Sequence, residues 1–562
     1  MSRKGLLLIA TIAVTTLLAG CTGIPYSGQV NKGVPASNDI TSDIQYLPAG
    51  PSEGASPEQV LRGFVDAGTS PTGDWKIARQ YLSATFARSW DPRAGVIVDS
   101  GTRAVTGTPE SGLTLVAQVQ ARVDAAGSYA EETTPRESNF AFTFVQEAGQ
   151  WRISAAPNGI IIDGATFPRV FTATPLFFYS NGSTTLVPDL RWFPARASTS
   201  TRVVQALMQG PSPWLSTTGS VTTALPKGAQ LMADSVPVES GVASVNLDAR
   251  SIVISPAQEN RILRQVASSL VGVPGVSAVS LYFSGNLAGQ LAVPTLQSLL
   301  GPKVNAPTFL SKDGAFGYYD GTIVTPMTGD LSGQIESFKP QSVVITPDRT
   351  RALVTTARGV FLLGANRAST VVDARSDLLP ASVDPEQNTW TIQQADASTI
   401  RVTPLNSTSR TLNVPWGKAT RISALSVSPD GSRLVAALNS SAGNRVCTAS
   451  IGRSQAGVPI KIGPCKSLIA PRGEVSSVLW IDGLHLALLS RPNNTEASSM
   501  RVLTLGGRYS DIAPPAGTTS LAGLGANGAL RVLTSDGNLF EQTSSSRWVA
   551  AGSRISLVAT TQ

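Results

Sequence analysis

Histidine is almost absent from these 562 residues: there is one, His485. A histidine-based triad needs that residue beside a nucleophile and an orienting acid, and no G-x-S-x-G elbow supplies the first. His485 lies in Trp480-Ile481-Asp482-Gly483-Leu484-His485-Leu486, a strand-like stretch beside a turn, where a structural role is the default reading. With one histidine and three cysteines the chain holds no cluster of zinc-ligand type. P-loop and dinucleotide fingerprints are missing too. Charged residues are only 14%, against about a quarter in ordinary domains. The net charge of +7 is spread without any Lys/Arg run, so nucleic acid is not an expected partner. That mild charge reads either as weak attraction to anionic lipid or wall polymer, or as a balance with no specific partner. No catalytic residue, metal or cofactor is expected. Paired carboxylates alone stay open, since a glycosidase needs only two and the chain has 37 acids.

Long apolar runs are missing after the N-terminus, which is itself distinctive. Arg3 and Lys4 form a short positive region, and Gly5 to Leu17 is apolar or small. The stretch is too short for the ~20 residues of a spanning helix, so it reads as a secretory signal. It closes with Leu18, Ala19, Gly20 and Cys21, which resembles the bacterial lipobox. Small residues admit the chain to the peptidase, and the Cys21 thiol can take a diacylglyceryl group as a thioether. The alternative is an ordinary signal with a chance cysteine. On the lipobox reading residues 1–20 are removed before Cys21, which carries S-diacylglycerol and an N-acyl chain. Two or more acyl chains hold a protein stably at the outer face of a membrane.

Cys447 and Cys465 remain, about 18 residues apart. In an oxidising compartment such a pair is a disulfide candidate, and Gly452, Gly457 and Gly463 permit the chain reversal it requires. Two buried thiols are the other reading.

Residues 21–55, rich in Pro, Gly, Ser and Asn, read as a lipidated tether. A first domain, 56–166, opens at Ser56-Pro57-Glu58-Gln59, a capping-box start. Val60, Leu61, Phe64 and Val65 then mark one helical face. A second helix is expected after Asp74, with Trp75, Ala78, Tyr81, Leu82 and Phe86 inward. Leu113, Leu115, Ala117, Val119, Ala121 and Val123 alternate as a half-buried strand. Phe140, Phe142 and Phe144 do likewise, as core rather than ligand box, and Gly149 turns the chain into Trp151 and Ile153. This order resembles the cone-like α+β fold of the nuclear-transport-factor kind.

A second domain, 167–300, begins with a strand at Leu176–Tyr179, a turn at Asn181-Gly182 and a partner strand at Leu186–Phe193. A helix from about Thr201 stops at Gly210-Pro211. A hairpin pairs Ser235–Val238 with Val242–Leu247, and Ser255-Pro256-Ala257-Gln258 opens a second helix by the same capping logic. Phe178-Tyr179, Leu186-Val187-Pro188, Leu225-Pro226-Lys227-Gly228 and Val242-Ala243-Ser244-Val245-Asn246-Leu247, with Val273-Pro274-Gly275-Val276 after them, resemble the α/β GerM domain.

From 301 to 562 the chain repeats weakly. Ser342–Asp348 followed by Arg351–Val354 echoes Leu425–Gly431 followed by Arg433–Ala436. Fainter pulses lie at Phe309–Phe316, Val383–Ile392, Val478–Leu488 and Leu521–Val532. A strand, a Pro-Asp-Gly type turn and a second strand every 35 to 50 residues suggest an all-β, propeller-like domain of about six blades. An irregular β-sandwich is the alternative.

In this order and over this length, the multidomain chain resembles the lipoprotein LpqB family of actinobacteria. The resemblance implies an accessory to the MtrA–MtrB two-component system in envelope homeostasis and division. The partner it implies is the extracytoplasmic region of a sensor histidine kinase (MtrB-like). It transfers no residue of a kinase-binding surface. The competing function is a wall-polymer or small-ligand binder, or a hydrolase with its site in the propeller mouth.

Cys21→Ala is expected to leave a folded chain without lipid. Detergent partitioning and mass spectrometry of the N-terminal peptide decide it, and an unmodified Cys21 in the exported wild type would overturn the lipobox reading.

Overall fold

A serine hydroxyl starts the first element. Ser56 Oγ accepts from the Gln59 amide at 3.3 Å while Gln59 Oε1 accepts from the Ser56 amide at 2.8 Å. This reciprocal cap opens the helix Pro57–Ala67, whose Val60, Leu61, Phe64 and Val65 are buried. The computed structural model describes residues 48–562 apart from 196–197, 249, 251–252, 301–307, 347, 406, 418, 442, 492–496, 525–528, 545 and 562. The signal, Leu18, Ala19, Gly20 and Cys21, and all but the last residues of the expected tether lie outside the described residues. Pro48 to Gln562 forms one unit.

The second helix, Thr72–Gln80, ends earlier than the periodicity suggests. Tyr81 and Leu82 are buried as expected, but the sheet captures their backbone. The Ile153 amide donates to the Tyr81 carbonyl at 2.9 Å, and Leu82 bridges Ile153. Phe86 then begins a separate turn, Phe86–Ser89. The five-stranded sheet runs in the order Gln150–Ala155, Tyr129–Glu147, Gly112–Asp124, Gly95–Thr108, Ile160–Asp163, the last two strands parallel. All six alternating residues from Leu113 to Val123 face the core. Phe142 meets Phe64 edge-on at 6.1 Å, so the phenylalanine stripe packs the helices.

The second domain pairs Phe171–Ser180 with Leu186–Pro194, covered by the helix Thr199–Gln209. Val242–Asp248 runs parallel to Ala278–Phe283, with the helix Pro256–Ser269 between them in sequence. Its cap is half a box. Ser255 Oγ accepts from the Gln258 amide at 3.3 Å, but the Gln258 side chain turns to the Ala224 carbonyl. The expected hairpin shrinks to Val238–Glu239 against Val242–Ala243, because Leu247–Asp248 pair with Gln230–Leu231 instead.

The third domain consists of six meandering sheets among the described residues, and each of the six sequence pulses lies in its own sheet. The cores lie between sheets. In the strand Arg433–Ser440, Leu434, Ala436 and Leu438 pack with Trp390 and Ile400 of the preceding sheet. The intervening Val435 and Ala437 pack with Leu486 and Leu488 of the following one. A two-layer sandwich buries one face of each sheet, whereas burial of both faces requires a neighbour on either side, as in a ring of blades. The ring closes where Ile555–Val558, from the C-terminus, pairs with Thr308–Lys312 of the first sheet.

Leu310, fully buried at this closure among Leu533, Leu539 and Ile555, tests its contribution. Leu310→Ala is expected to cost about 2–5 kcal/mol by urea denaturation. The exposed Ile460→Ala serves as a control and should stay within about 0.5 kcal/mol.

Candidate functional site

The sole histidine belongs to a turn. His485 Nδ1 lies 2.7 Å from Asp482 Oδ2, while Asp482 Oδ1 accepts from the Leu484 and His485 amides at 2.7 and 2.8 Å. Burial of Asp482 opposes its charge, but the bonds from His485 and these amides prevail and hold the carboxyl below its ordinary range. Asp482 is the one polar partner of the imidazole among the described residues. The turn also seats the second domain: Leu484 packs with Phe177, Leu190, Val271 and Leu300, and a Cβ on Gly483 would stand 3.1 Å from Pro188 Cγ.

One blade earlier, the turn at Ser428–Arg433 does more. Asp430 accepts from Ser428 Oγ at 2.8 Å, from the Ser432 amide at 2.9 Å, and from Ser432 Oγ and Arg433 Nη2. Burial raises the cost of its charge, yet Arg433 and these donors hold its pKa down. Arg433 is itself wholly buried, 5.2 Å from the centre of the Trp480 ring, and its Nη1 donates to the Pro188 carbonyl of the second domain at 3.3 Å. The sequence marks this segment as turn chemistry. Its arginine matches Arg351 in spacing, so no local signal singled out Arg433 as the docking cation.

Pro188 belongs to a strand that ties all three domains together. Asp189 holds Arg191 at 2.8 Å and both the amide and hydroxyl of Ser212, each at 2.8 Å. Arg191 Nη1 donates to the Ala126 carbonyl of the first domain at 2.8 Å. Trp192, assigned by sequence to the second domain, lies with Tyr129 and Phe167 in the first domain's core. Its Nε1 donates to the Gly506 carbonyl of the third at 2.9 Å. At the turn end of the same hairpin, Gly182 approaches Gln455 so closely that a Cβ would stand 2.8 Å from that carbonyl oxygen.

Cys447 and Cys465 are free thiols in the structure. They approach because Cys447 lies opposite Ser467 across two paired strands. The hydrogen bond between the thiols, with burial, pushes the Cys447 pKa up. The same bond, with Arg445 nearby, lowers that of Cys465 despite burial.

A cleft of about 1000 Å³ opens between the first and last blades, lined by Phe309, Tyr318, Tyr319, Asp320, Arg349 and Arg531 among others. Asp320 is the only acid in this lining among the described residues, and the amides of Thr322 and Ile323 engage it. Those bonds lower its pKa. A two-carboxylate hydrolase needs a second acid. Among the described residues no group of three or more His, Cys, Asp or Glu is placed to hold a metal. No described helix is long and apolar enough to cross a membrane.

Three family models match the chain: the lipoprotein LpqB N-terminal domain over residues 50–168, the Germane domain of sporulation and spore germination over 175–288, and the lipoprotein LpqB beta-propeller domain over 314–555. Lipoprotein LpqB of Cutibacterium acnes is 31% identical over 51% of this chain and 47% of its own length, so the match spans about half of that relative. Lipoprotein LpqB of Bifidobacterium longum is 24% identical over 91% of this chain and 90% of its own. A solved TolB from Acinetobacter baumannii is 14% identical over 55% of this chain and 86% of its own, at a TM-score of 0.32.

After export, Cys447 and Cys465 are expected to form a disulfide, contributing about 3 kcal/mol through the unfolded chain. Non-reducing peptide mapping decides it; recovery of both thiols alkylated without reduction would count against the bridge.

Proposed function

The chain belongs to the lipoprotein LpqB family, and from that premise we propose that it is a lipid-anchored, extracytoplasmic binding protein that modulates a sensor histidine kinase (MtrB-like). Anchored through Cys21, it works by contact and not by catalysis. The observation that carries this reading is the buried junction around Pro188 and Arg433. A protein that acts by touching a partner gains from holding its domains in one arrangement, because surfaces from different domains then meet the partner without an ordering cost on binding.

A second reading rests on the cleft between the first and last blades. Tyr318 is 41% exposed there, and aromatic faces beside arginines suit a wall polymer or small ligand.

On the contact reading, the kinase's immobilised extracytoplasmic region should capture the detergent-solubilised lipoprotein. His485→Gln should be captured equally and signal near-normally, read as output of the cognate response regulator with protein abundance checked. The substitution removes the imidazole from a partly exposed pair of small energetic weight. Failure of the wild type to be captured, or loss of output in an abundant His485→Gln variant, would overturn the reading.

A further inference from the structure

Lys466 begins the short strand Lys466–Leu468 in the third domain and reaches toward the first. Its ammonium is 5.0 Å from the centre of the Trp214 ring. The residue is half-buried, and burial is the main cause that lowers its pKa. Among the described residues it makes no hydrogen bond and no ion pair. Two acids act on it through space. Asp189 is filled by Arg191 and Ser212, while Asp124, which lines the same cavity as Lys466, uses Oδ1 to accept from the Ala126 and Ser128 amides, both at 2.9 Å. With the Trp214 ring as its one contact and no acceptor beside it, the ammonium is left to water or to an anion that enters the space next to it.

Space for a partner is present. A cavity of about 390 Å³ lies between Lys466 and the first domain, walled by Val96, Ile97, Val123 and Tyr129. This is the size of small-molecule sites, which combine apolar walls with a few polar groups. Asn158 adds one such group: its Oδ1 accepts from the Asp91 amide at 3.0 Å, and its amide nitrogen makes no hydrogen bond among the described residues. Arg122, at the rim, is occupied by Glu132 at 3.5 Å.

We propose that this cavity binds a small organic monocarboxylate, with Lys466 as counter-ion to the carboxylate and the apolar walls enclosing the organic body. Lys466 is the cation of this lining without an ion pair among the described residues, so one carboxylate can meet it, and Asp124 in the same lining disfavours any further negative charge. Inorganic phosphate would bring a second charge and no apolar surface into walls that offer neither a second free cation nor enough donors. The bound acid spans the seam between the first and third domains and so ties ligand occupancy to the arrangement of the whole molecule. This inference does not rest on the kinase contact and stands or falls apart from it.

Isothermal titration of the intact chain with acetate, butyrate, hexanoate, benzoate and inorganic phosphate tests it. At least one of the larger carboxylates should bind saturably and about tenfold more tightly than acetate. Lys466→Gln should weaken that binding by about tenfold or more, while the exposed Lys461→Gln leaves it unchanged. Ala130→Phe, at an exposed position on the cavity wall, should obstruct the site without disturbing the fold, and it decides the matter if Lys466→Gln does not fold. Saturation by none of the carboxylates, binding of phosphate alone, or wild-type affinity in a folded Lys466→Gln or Ala130→Phe variant would overturn the proposal.

Discussion

The molecule is organised around a guanidinium that water does not reach. Arg433 is 0% exposed and needs every partner it has: the Asp430 carboxylate, the Trp480 ring and the Pro188 carbonyl. A buried ion pair adds little net stability over an apolar replacement, but leaving one charge without its counterpart is expensive. The consequence is specificity of docking. A second domain shifted by one residue along the Pro188 strand would withdraw the carbonyl from Arg433. Gly182, Gly483 and Gly506 allow the close approach this geometry demands, and a side chain at Gly182 would collide with backbone.

The propeller makes such a seat possible because its sheets are buried on both faces. Alternate residues of one strand enter two different cores, as Leu434 and Val435 do, so each blade is held by its neighbours and the turns between strands are presented on a firm base. The arrangement needs closure. A strand from the C-terminus provides it, and the large cleft lies beside that closure, between the first and last blades.

His485 is tied to Asp482 in a turn, and the acid lining the large cleft is engaged by backbone amides. At the seam between the first and third domains, Lys466 lies against the Trp214 ring and faces a cavity without a hydrogen-bonded or ion-paired partner among the described residues.

Much of the local structure was legible in the sequence. The Ser56 cap, the alternation from Leu113 to Val123, the breaks at Gly210 and the six pulses of the third domain depend on residues a few positions apart, where periodicity and turn chemistry act directly. Other decisions were made at long range. The second helix stops at Gln80 because Ile153 draws the following backbone into the sheet. Trp192 leaves the domain of its own strand because the aromatic core of Tyr129 and Phe167 accepts its ring. Arg433 becomes the docking cation, and Arg351 of matching spacing does not, because a carbonyl 245 residues away comes to lie against it. Sequence by itself determined which segments form strands and helices and how often they recur. Tertiary structure alone decided which buried polar groups meet, since a hydrogen bond or charge pair across hundreds of residues leaves no periodicity in the chain that makes it.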